Sequence, residues 1–326
     1  MQAQDAWEWF GKHTFHHADY DAATLAADKL RRTTTISVVL PALNEERTIG
    51  PIIRTLRREL MDRIPLIDEL VVIDPGSIDA TAKIAAEAGA RVVSEADLLP
   101  ELGRVAGKGE ALWKSLYATT GDIVCWLDAD IEDFRCEFVT GLVGPLLTDP
   151  ALAYVKGFYE RPLSVSRGLQ MTGGGRVTEL VARPLLNTYW PALAGFVQPL
   201  SGEYAGRRAV LEQVPFVSGY GVELGLLIDL LDLVGLDAMA QVDLERRVHA
   251  HQDHAALGRM AFTLQQTALT RLQRSGRLVL SEPAEQTMMQ FAMEDGIYAV
   301  THFTADLSER PPMASIRATR EVRDGR

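Results

Sequence analysis

The sequence of 326 residues contains only two cysteines, Cys125 and Cys136. Two cysteines cannot build the disulfide framework of a small secreted domain, and they predict packed thiols in a reducing, cytoplasmic compartment. The sequence also lacks an apolar run long enough to span a bilayer, and its amino-terminus has no secretory hydrophobic segment. We therefore expect a protein without a membrane partner.

Basic residues are the second scarcity. Lys and Arg number 33 against 44 Asp and Glu, which gives a formal net charge of −11. An acidic chain of this kind disfavours nucleic acid and anionic membranes as partners. Any anionic substrate must then be held by a few local cations.

A glycine-rich dinucleotide-binding turn is also absent. A β-branched run over residues 36–40 predicts a strand, and Asn44 can cap a helix over about 45–61. The turn between them begins at Pro41 and reads Pro-Ala-Leu-Asn-Glu-Glu instead of Gly-x-Gly-x-x-Gly. This disfavours a nicotinamide-dependent dehydrogenase. A nucleotidyltransferase, which would need a glycine-rich basic loop here, is disfavoured for the same reason.

What the sequence does contain is a repeated alternation of strands and helices. This alternation predicts an α/β fold with a mainly parallel sheet flanked by helices. Further strands are predicted over residues 70–73, 90–93, 123–127, 153–158 and 238–242, and helices over 79–88, 108–117, 134–147 and 255–274. We predict a helical arm over residues 1–34, a nucleotide-binding part over 35–133, a substrate-binding part over 134–316 and a flexible tail over 317–326.

Two carboxylates, Asp128 and Asp130, follow the apolar strand at 123–127 directly. Ligands of open α/β sheets bind at the carboxyl ends of the strands. Because alternate residues face the same side, both carboxylates can reach one hard cation. The functional interpretation is a metal and nucleotide-sugar site, and the structural alternative is a solvated strand end.

Candidate cations and anion sites lie elsewhere in the chain. Lys108 stands in the first turn of a helix, where it opposes the macrodipole unless an anion is bound, although an exposed lysine is tolerated there. Three glycines end at Gly175 and precede Arg176, so this turn is either an anion site at a helix start or a glycine linker. Glu223 also begins a helix, and the dipole alone explains it. His249 and His251 face the same way in an extended segment, and either can complete a metal shell.

Together these stretches resemble the glucosyl-3-phosphoglycerate synthases, a family of retaining glycosyltransferases with the GT-A fold. The similar mannosyl-3-phosphoglycerate synthases share much of the pattern. The matching stretches are Val38 to Glu46, Asp74 to Ser77, Gly107 to Ser115, Asp128 to Asp130, Thr172 to Pro184, Gly202 to Tyr204, Pro215 to Leu227, Gly235 to Val242 and Arg310 to Met313.

The resemblance implies transfer of glucose from UDP-glucose to the 2-hydroxyl of 3-phosphoglycerate, with an α-linkage in the product. It also implies a homodimer that uses Mg²⁺, with Mn²⁺ or another divalent ion as a substitute. The alternative activity uses GDP-mannose as the donor.

Site residues follow from the resemblance position by position. The implied donor-binding residues are Pro41, Ala42, Leu43, Asn44, Glu45, Pro75, Lys108, Asp128, Ala129, Tyr220, Gly221, Val222, Glu223, Arg247 and His249. The implied acceptor-binding residues are Gly175, Arg176, Val177, Thr178 and His251. Asp130 and His249 are the implied metal ligands, and a register shift of two residues would exchange the roles of His249 and His251.

The implied catalytic residues are Lys108, Glu223 and Arg247. Retention by double displacement requires a carboxylate nucleophile near the anomeric carbon, and Glu223 is the nearest candidate. Because Glu223 is expected to hold sugar hydroxyls, a front-face substitution assisted by the leaving phosphate is the working hypothesis.

Overall fold

The computed structural model describes residues 3–160, 163–165, 168–170, 175–247, 254–294 and 296–324. The strands are β1 Thr14–His16, β2 Ile36–Pro41, β3 Glu69–Asp74, β4 Arg91–Ser94, β5 Ile123–Trp126, β6 Tyr154–Glu160, β7 Leu163–Val165, β8 Gly168–Gln170, β9 Tyr204–Arg207, β10 Phe216–Val217, β11 Met239–Arg246, β12 Thr287–Glu294, β13 Ile297–Thr304 and β14 Glu309–Arg310. The helices are α1 Ala3–His13, α2 Ala22–Arg32, α3 Ile49–Arg57, α4 Thr81–Ala88, α5 Lys108–Ala118, α6 Glu137–Thr148, α7 Arg183–Tyr189, α8 Arg208–Leu211, α9 Val222–Val234, α10 His254–Arg274 and α11 Met313–Asp324.

Eight strands form the central sheet in the order β1-β11-β6-β9-β5-β2-β3-β4. Within the described part of this sheet, β9 alone runs antiparallel to its neighbours β5 and β6. The other pairs are parallel. The predicted α/β fold with a mainly parallel sheet is therefore confirmed, and β9 is an element that the sequence analysis did not predict.

Both faces of the sheet are covered, which is why its central strands are continuous apolar runs. Alternate residues of β2 enter two separate cores. Val39 packs in one core with Trp113 and Trp126, whereas Val38 and Leu40 pack in the other. The boundary predicted at residue 133 falls within this one sheet, because β9 lies between β5 and β6.

The amino-terminal segment is not helical throughout, as had been expected for residues 1–34. Residues 14–16 form β1, the edge strand that pairs in parallel with β11. Trp9 on α1 is buried, and its indole N–H lies 2.9 Å from the carbonyl of Met239 and 3.0 Å from that of Leu236. The sequence near β1 did not indicate a strand, because its pairing partner, β11, lies more than 200 residues later in the chain.

The prediction of a flexible tail over residues 317–326 needs correction. Residues 313–324 form α11, and residues 325–326 lie outside the described residues. Arg317 donates to Glu212 at 3.1 Å and to the Leu116 carbonyl at 2.7 Å. Side-chain partners distant in sequence therefore stabilise a helix whose composition is polar.

Local corrections concern the turn after β2 and the two cysteines. Asn44 has a positive φ of 58° and its side-chain oxygen accepts from the Ile78 N–H at 2.9 Å, so it does not cap α3. Both Cys125 and Cys136 are free thiols, as predicted. Across the described residues, no helix is long and apolar enough to cross a membrane.

Candidate functional site

The candidate site lies where the parallel strands end, which is the usual ligand position in an open α/β sheet. A cavity of about 600 Å³ opens there. Its lining residues are Pro41, Ala42, Leu43, Pro75, Glu95, Arg104, Val105, Ala106, Gly107, Lys108, Ala111, Asp128, Gly219 and Tyr220. Seven of the predicted donor-binding residues thus surround one cavity, although the outermost two, Pro41 and Tyr220, lie 179 positions apart in the sequence.

Lys108 is one of two cationic residues that line this cavity, and Arg104 is the other among the described lining residues. Its Nζ lies 2.6 Å from Asp128 Oδ1 and 3.1 Å from Glu223 Oε1. Burial alone would lower the pKa of Lys108, but Asp128 and Glu223 together outweigh it and raise the pKa. Lys108 therefore stays charged at the first turn of α5, opposite the first turn of α9.

Arg247 joins the two aspartates of the predicted motif. Its Nη1 donates to Asp128 Oδ2 at 3.0 Å, and its Nη2 donates to Asp130 Oδ1 at 2.5 Å. Burial raises the pKa of Asp128, but Lys108 and Arg247 more than offset this and hold the pKa well below its usual range. Asp128 is thus a permanent carboxylate held between two cations.

Glu203 is a site residue that the sequence analysis missed. It is completely buried, its Oε1 lies 2.8 Å from Arg247 Nη1, and its Oε2 accepts from the Tyr159 hydroxyl at 2.6 Å. Burial raises the pKa of Glu203, Arg247 opposes the rise and Asp128 adds to it. A charged residue directly before the apolar strand β9 was the available signal, but β9 itself was not predicted.

Gly202 explains how Asp128 fits against this layer. A Cβ at Gly202 would lie 2.1 Å from Asp128 Oδ2 and 2.4 Å from Asp128 Oδ1. Real Cβ atoms do not approach other atoms so closely, because interiors are already close-packed. Glycine at this position therefore permits the observed orientation of the Asp128 carboxylate.

The carboxylates near Asp130 have the chemistry of a hard-cation site. Burial raises the pKa of Glu45, and the charges of Asp130 and Asp128 raise it further. Mg²⁺ and Mn²⁺ prefer such oxygen ligands, and a dication would relieve the mutual repulsion. Thr48 on the same turn donates to the Ala129 carbonyl at 2.6 Å, which joins this turn to the Asp128–Asp130 segment. His249 and His251 both lie outside the described residues.

A second group of potential metal ligands lies at the edge of the sheet. One nitrogen or oxygen of each of His16, His17 and Glu245 lies within 4.8 Å of the others. Arg135 Nη1 already donates to Glu245 Oε2 at 3.0 Å, and His17 Nε2 lies 3.2 Å from Glu245 Oε1. The Glu245 carboxylate is thus already engaged by Arg135 and His17.

The predicted acceptor-binding segment begins a helical segment, as expected, in which the π-helix Thr178–Ala182 leads into α7. Gly175 has a φ of +80°, and its carbonyl accepts from the Glu179 N–H at 2.9 Å. Val177 and Thr178 are both buried. Arg176 Nη1 lies 3.1 Å from His254 Nε2, which brings the segment to the start of α10.

The remaining predicted residues lie around the start of α9. Tyr220 is half exposed at 52% and lines the cavity, whereas the Val222 side chain is fully buried. Gly221 is the N-cap residue of α9. Glu223 therefore meets Lys108 from the first turn of α9.

Comparisons with known proteins show the family to which the chain belongs. The family model described as Glycosyl transferase family 2 matches residues 37–196. The glucosyl-3-phosphoglycerate synthase of Petrotoga mobilis is 47% identical and covers 95% of this chain and 96% of its own length. That of Mycobacterium tuberculosis is 48% identical over 93% of this chain and 92% of its own length.

Solved structures show the same similarity. Mannosyl-3-phosphoglycerate synthase from Rubrobacter xylanophilus has a TM-score of 0.87 at 39% identity, covering 95% of this chain and 98% of that chain. Glucosyl-3-phosphoglycerate synthase from Mycobacterium tuberculosis, in complex with Mn²⁺, UDP and phosphoglyceric acid, has a TM-score of 0.82 at 44% identity and covers 94% and 99%. The chain belongs to the glucosyl-3-phosphoglycerate synthase family of glycosyltransferases.

Proposed function

We propose that the protein transfers glucose from UDP-glucose to the 2-hydroxyl of 3-phosphoglycerate, with retention and with the help of a divalent metal ion. The observation that carries this proposal is the cluster of Lys108, Asp128 and Arg247: Lys108 and Asp128 line the cavity, and Arg247 pairs with Asp128. Curated relatives of that name are 46–48% identical over most of the chain. GDP-mannose is the alternative donor, which the high structural similarity to a mannosyl-3-phosphoglycerate synthase supports.

The donor's base and ribose would bind at the end of β2. Pro41, Ala42 and Leu43 line that part of the cavity, and Pro75 lines it from the end of β3. Asn44 and Glu45 continue the same turn. Tyr220 to Glu223 would hold the glucose hydroxyls from the opposite side, near Lys108.

Charge stabilisation at the departing UDP is the main task of such a site, and two cations of this chain are available for it. Lys108 and Arg247 are both anchored on carboxylates, so each is held in place before phosphate binds. Asp130, with His249, would hold the metal ion, and the nearby Glu45 carboxylate adds to the negative field there. The bound ion would act as a Lewis acid at the donor diphosphate.

Asp130 serves two partners in this proposal. In the structure its Oδ1 accepts from Arg247 Nη2, whereas the resemblance assigns this carboxylate to the cation. The two roles compete for one carboxylate. An Arg247 Nη2 group released from Asp130 can donate to a donor phosphate, which would link donor binding to metal binding.

The acceptor would bind at the helix start that follows Gly175. The first N–H groups of a helix have no carbonyl partner within the helix, so a helix start can donate to a bound anion. Arg176 adds a planar fork suited to phosphate or carboxylate. His251 is expected to complete this end of the site.

Retention by front-face substitution fits the contacts of Glu223. Its carboxylate lies 3.1 Å from Lys108 Nζ, which suits a residue that holds hydroxyls better than a free nucleophile. The leaving phosphate would then help to deprotonate the acceptor hydroxyl. An NMR assay of product stereochemistry tests this, and an inverted product would overturn it.

A homodimer is supported by the hairpin of β12 and β13. The register pairs Met289 with His302, Phe291 with Val300 and Met293 with Tyr298, so these side chains share one face. Phe291 is 65% and Tyr298 70% exposed. The other face contacts α10, since Gln290 Nε2 donates to the Ala255 carbonyl at 3.0 Å.

A lone two-stranded ribbon is only marginally stable, and an exposed apolar face of this kind is typical of an interface. We infer that a second copy of the chain covers it. Sedimentation equilibrium should give a dimer for the wild type and a monomer for Phe291→Asp, and a monomeric wild type would refute the inference. We place the reaction in the cytoplasm, in agreement with the two free thiols.

The activity is tested by nucleotide release from purified protein with Mg²⁺ and 3-phosphoglycerate. UDP-glucose should support acceptor-dependent release, and Arg176→Ala should abolish most of it. Arg183→Ala is the matched control, because Arg183 lies on the same helical segment but pairs with Glu179 at 2.8 Å. Preference for GDP-mannose would establish the mannosyl activity instead, and no release with either donor would refute the proposed reaction.

A further inference from the structure

The motif Arg310 to Met313 belongs to the resemblance but has no role in the proposed reaction. We propose that Arg310 is a positioning residue for the donor site. From outside the cavity it fixes the loop at residues 102–107 and, through α5, Lys108. The inference rests on the proposed function for its nucleotide, but the contacts that carry it are independent of the donor's identity.

Arg310 forms a buried, two-pronged ion pair with Glu110. Its Nε lies 2.7 Å from Glu110 Oε2 and its Nη2 lies 2.8 Å from Glu110 Oε1. Glu110 is completely buried and Arg310 is 8% exposed. Parallel bonds of this kind fix the orientation of both groups, because a guanidinium matches a carboxylate in geometry as well as charge.

The same guanidinium also holds the loop that lines the cavity. Nη1 donates to the Leu102 carbonyl at 2.9 Å, and Nη2 donates to the Gly103 carbonyl at 2.8 Å. The next four residues, 104–107, all line the cavity. Arg310 is absent from the described lining residues, so it can act on a ligand only through this loop and through α5.

Glu110 connects the ion pair to the first turn of α5. It stands two residues after Lys108, and its backbone N–H lies 3.3 Å from the Ser218 carbonyl. A Cβ at Gly109 would lie 1.8 Å from the Val217 carbonyl oxygen, so α5 and β10 are in direct backbone contact. Gly219 and Tyr220 follow β10 and line the cavity. The Arg310–Glu110 ion pair therefore supports three parts of the cavity lining, namely the loop at residues 104–107, the start of α5 and the residues that follow β10.

Arg310 itself is held firmly by its surroundings. It pairs with Phe216 in the antiparallel β10–β14 ladder, and its guanidinium lies 5.3 Å from the centroid of the Trp113 ring. The Trp113 indole N–H donates to the Pro311 carbonyl at 2.8 Å. Met313 is fully buried. The Arg-Pro-Pro-Met sequence thus places one guanidinium with little freedom.

Lysine cannot replace this arginine. Arg310 uses its planar fork for the carboxylate and for two carbonyls at once, whereas a lysine has a single nitrogen. Arg310→Lys would keep a charge for Glu110, which also has Lys114 Nζ at 3.2 Å, but it would release the loop carbonyls. We expect UDP affinity to fall about tenfold, which corresponds to the loss of one or two hydrogen bonds.

The test compares Arg310→Lys with Arg271→Lys. Arg271 is the matched control, because it is equally buried, forms a two-pronged pair with Asp229 at 2.8 and 2.6 Å, and contacts Glu309 beside Arg310. Calorimetry with UDP and Mg²⁺ should show weakened binding for Arg310→Lys only. In turnover, the KM for UDP-glucose should rise while the KM for 3-phosphoglycerate stays within about twofold.

Hydrogen–deuterium exchange separates this inference from the proposed function. Arg310→Lys should speed exchange over residues 102–110, and Arg271→Lys should leave that region unchanged. Unchanged exchange there, equal loss of UDP affinity in both variants, or faster exchange with unaltered UDP affinity would each overturn the inference. A wild type that binds no UDP would instead refute the proposed donor. The exchange data would still test whether Arg310 fixes the loop and α5.

Discussion

Arg247 is the counter-charge of a fully buried carboxylate, and its removal should be costly. Its side chain is 6% exposed, and that of Glu203 is 0% exposed at an N–O distance of 2.8 Å. Removing one partner of a buried ion pair leaves an uncompensated charge and costs about 3 to 5 kcal/mol. Asp128 would keep Lys108 as a partner. We therefore expect Arg247→Met to lower the free energy of unfolding by about 3 kcal/mol.

This loss should grow with pH, because Glu203 can become neutral by binding a proton. Burial already raises the pKa of Glu203, and Arg247 opposes that rise. Without Arg247 the folded pKa rises further above the unfolded value, so the folded variant binds more protons than the unfolded chain. Its stability is then fully present below the unfolded pKa and falls as pH rises through the folded pKa.

Urea unfolding followed by tryptophan fluorescence, at several values between about pH 5 and pH 8, measures this dependence. The double variant Arg247→Met/Glu203→Gln is the control, since it removes the buried charge along with its partner. It should be more stable than Arg247→Met at the alkaline end and should lack the added pH dependence. The electrostatic reasoning is wrong if the stability losses of the single variants Arg247→Met and Glu203→Gln simply add in the double variant and if Arg247→Met shows the wild-type pH profile.

Three further predictions concern residues around the same cavity. Gly202→Ala should displace the Asp128 carboxylate, whose Oδ2 lies 2.1 Å from the added Cβ position, and should weaken UDP binding in calorimetry by at least about tenfold; unchanged affinity would show that the carboxylate has room to turn. Burial raises the pKa of Glu95 from its ordinary value of 4.5 to about 7, so this group should contribute a loss of stability as pH rises from about 4.5 to 7. Glu95→Gln should have a flatter profile of melting temperature against pH in that range, and equal slopes would contradict the assignment. Burial lowers the pKa of Lys156 to about 7, so its folded form binds fewer protons than its unfolded form and the wild type should gain stability from pH 7 upward. Lys156→Met should abolish that gain in thermal unfolding, and a persisting gain would assign it to other groups.

The sequence alone determined most of the parallel strands of the sheet and the edge of the sheet at which ligands bind. The strand predicted over residues 36–40 is β2 Ile36–Pro41, and that over 123–127 is β5 Ile123–Trp126. Such strands are readable because burial on both faces requires an uninterrupted apolar run. The carboxyl end of β5 then positions Asp128 without further information, since every parallel strand presents that end to the same side of the sheet.

Tertiary structure alone decided which residues complete the charge arrangement. Glu203 meets Tyr159 across 44 positions of sequence, and Arg310 meets Glu110 across 200. Periodicity and capping signals report on neighbours within a few residues, so no local pattern could reveal either pair. The antiparallel strand β9 depends on long-range pairing in the same way, because it lies between β5 and β6 and pairs with both, although they come much earlier in the sequence. The sequence therefore determined where ligands meet the sheet, and long-range packing determined which charges are buried beneath them.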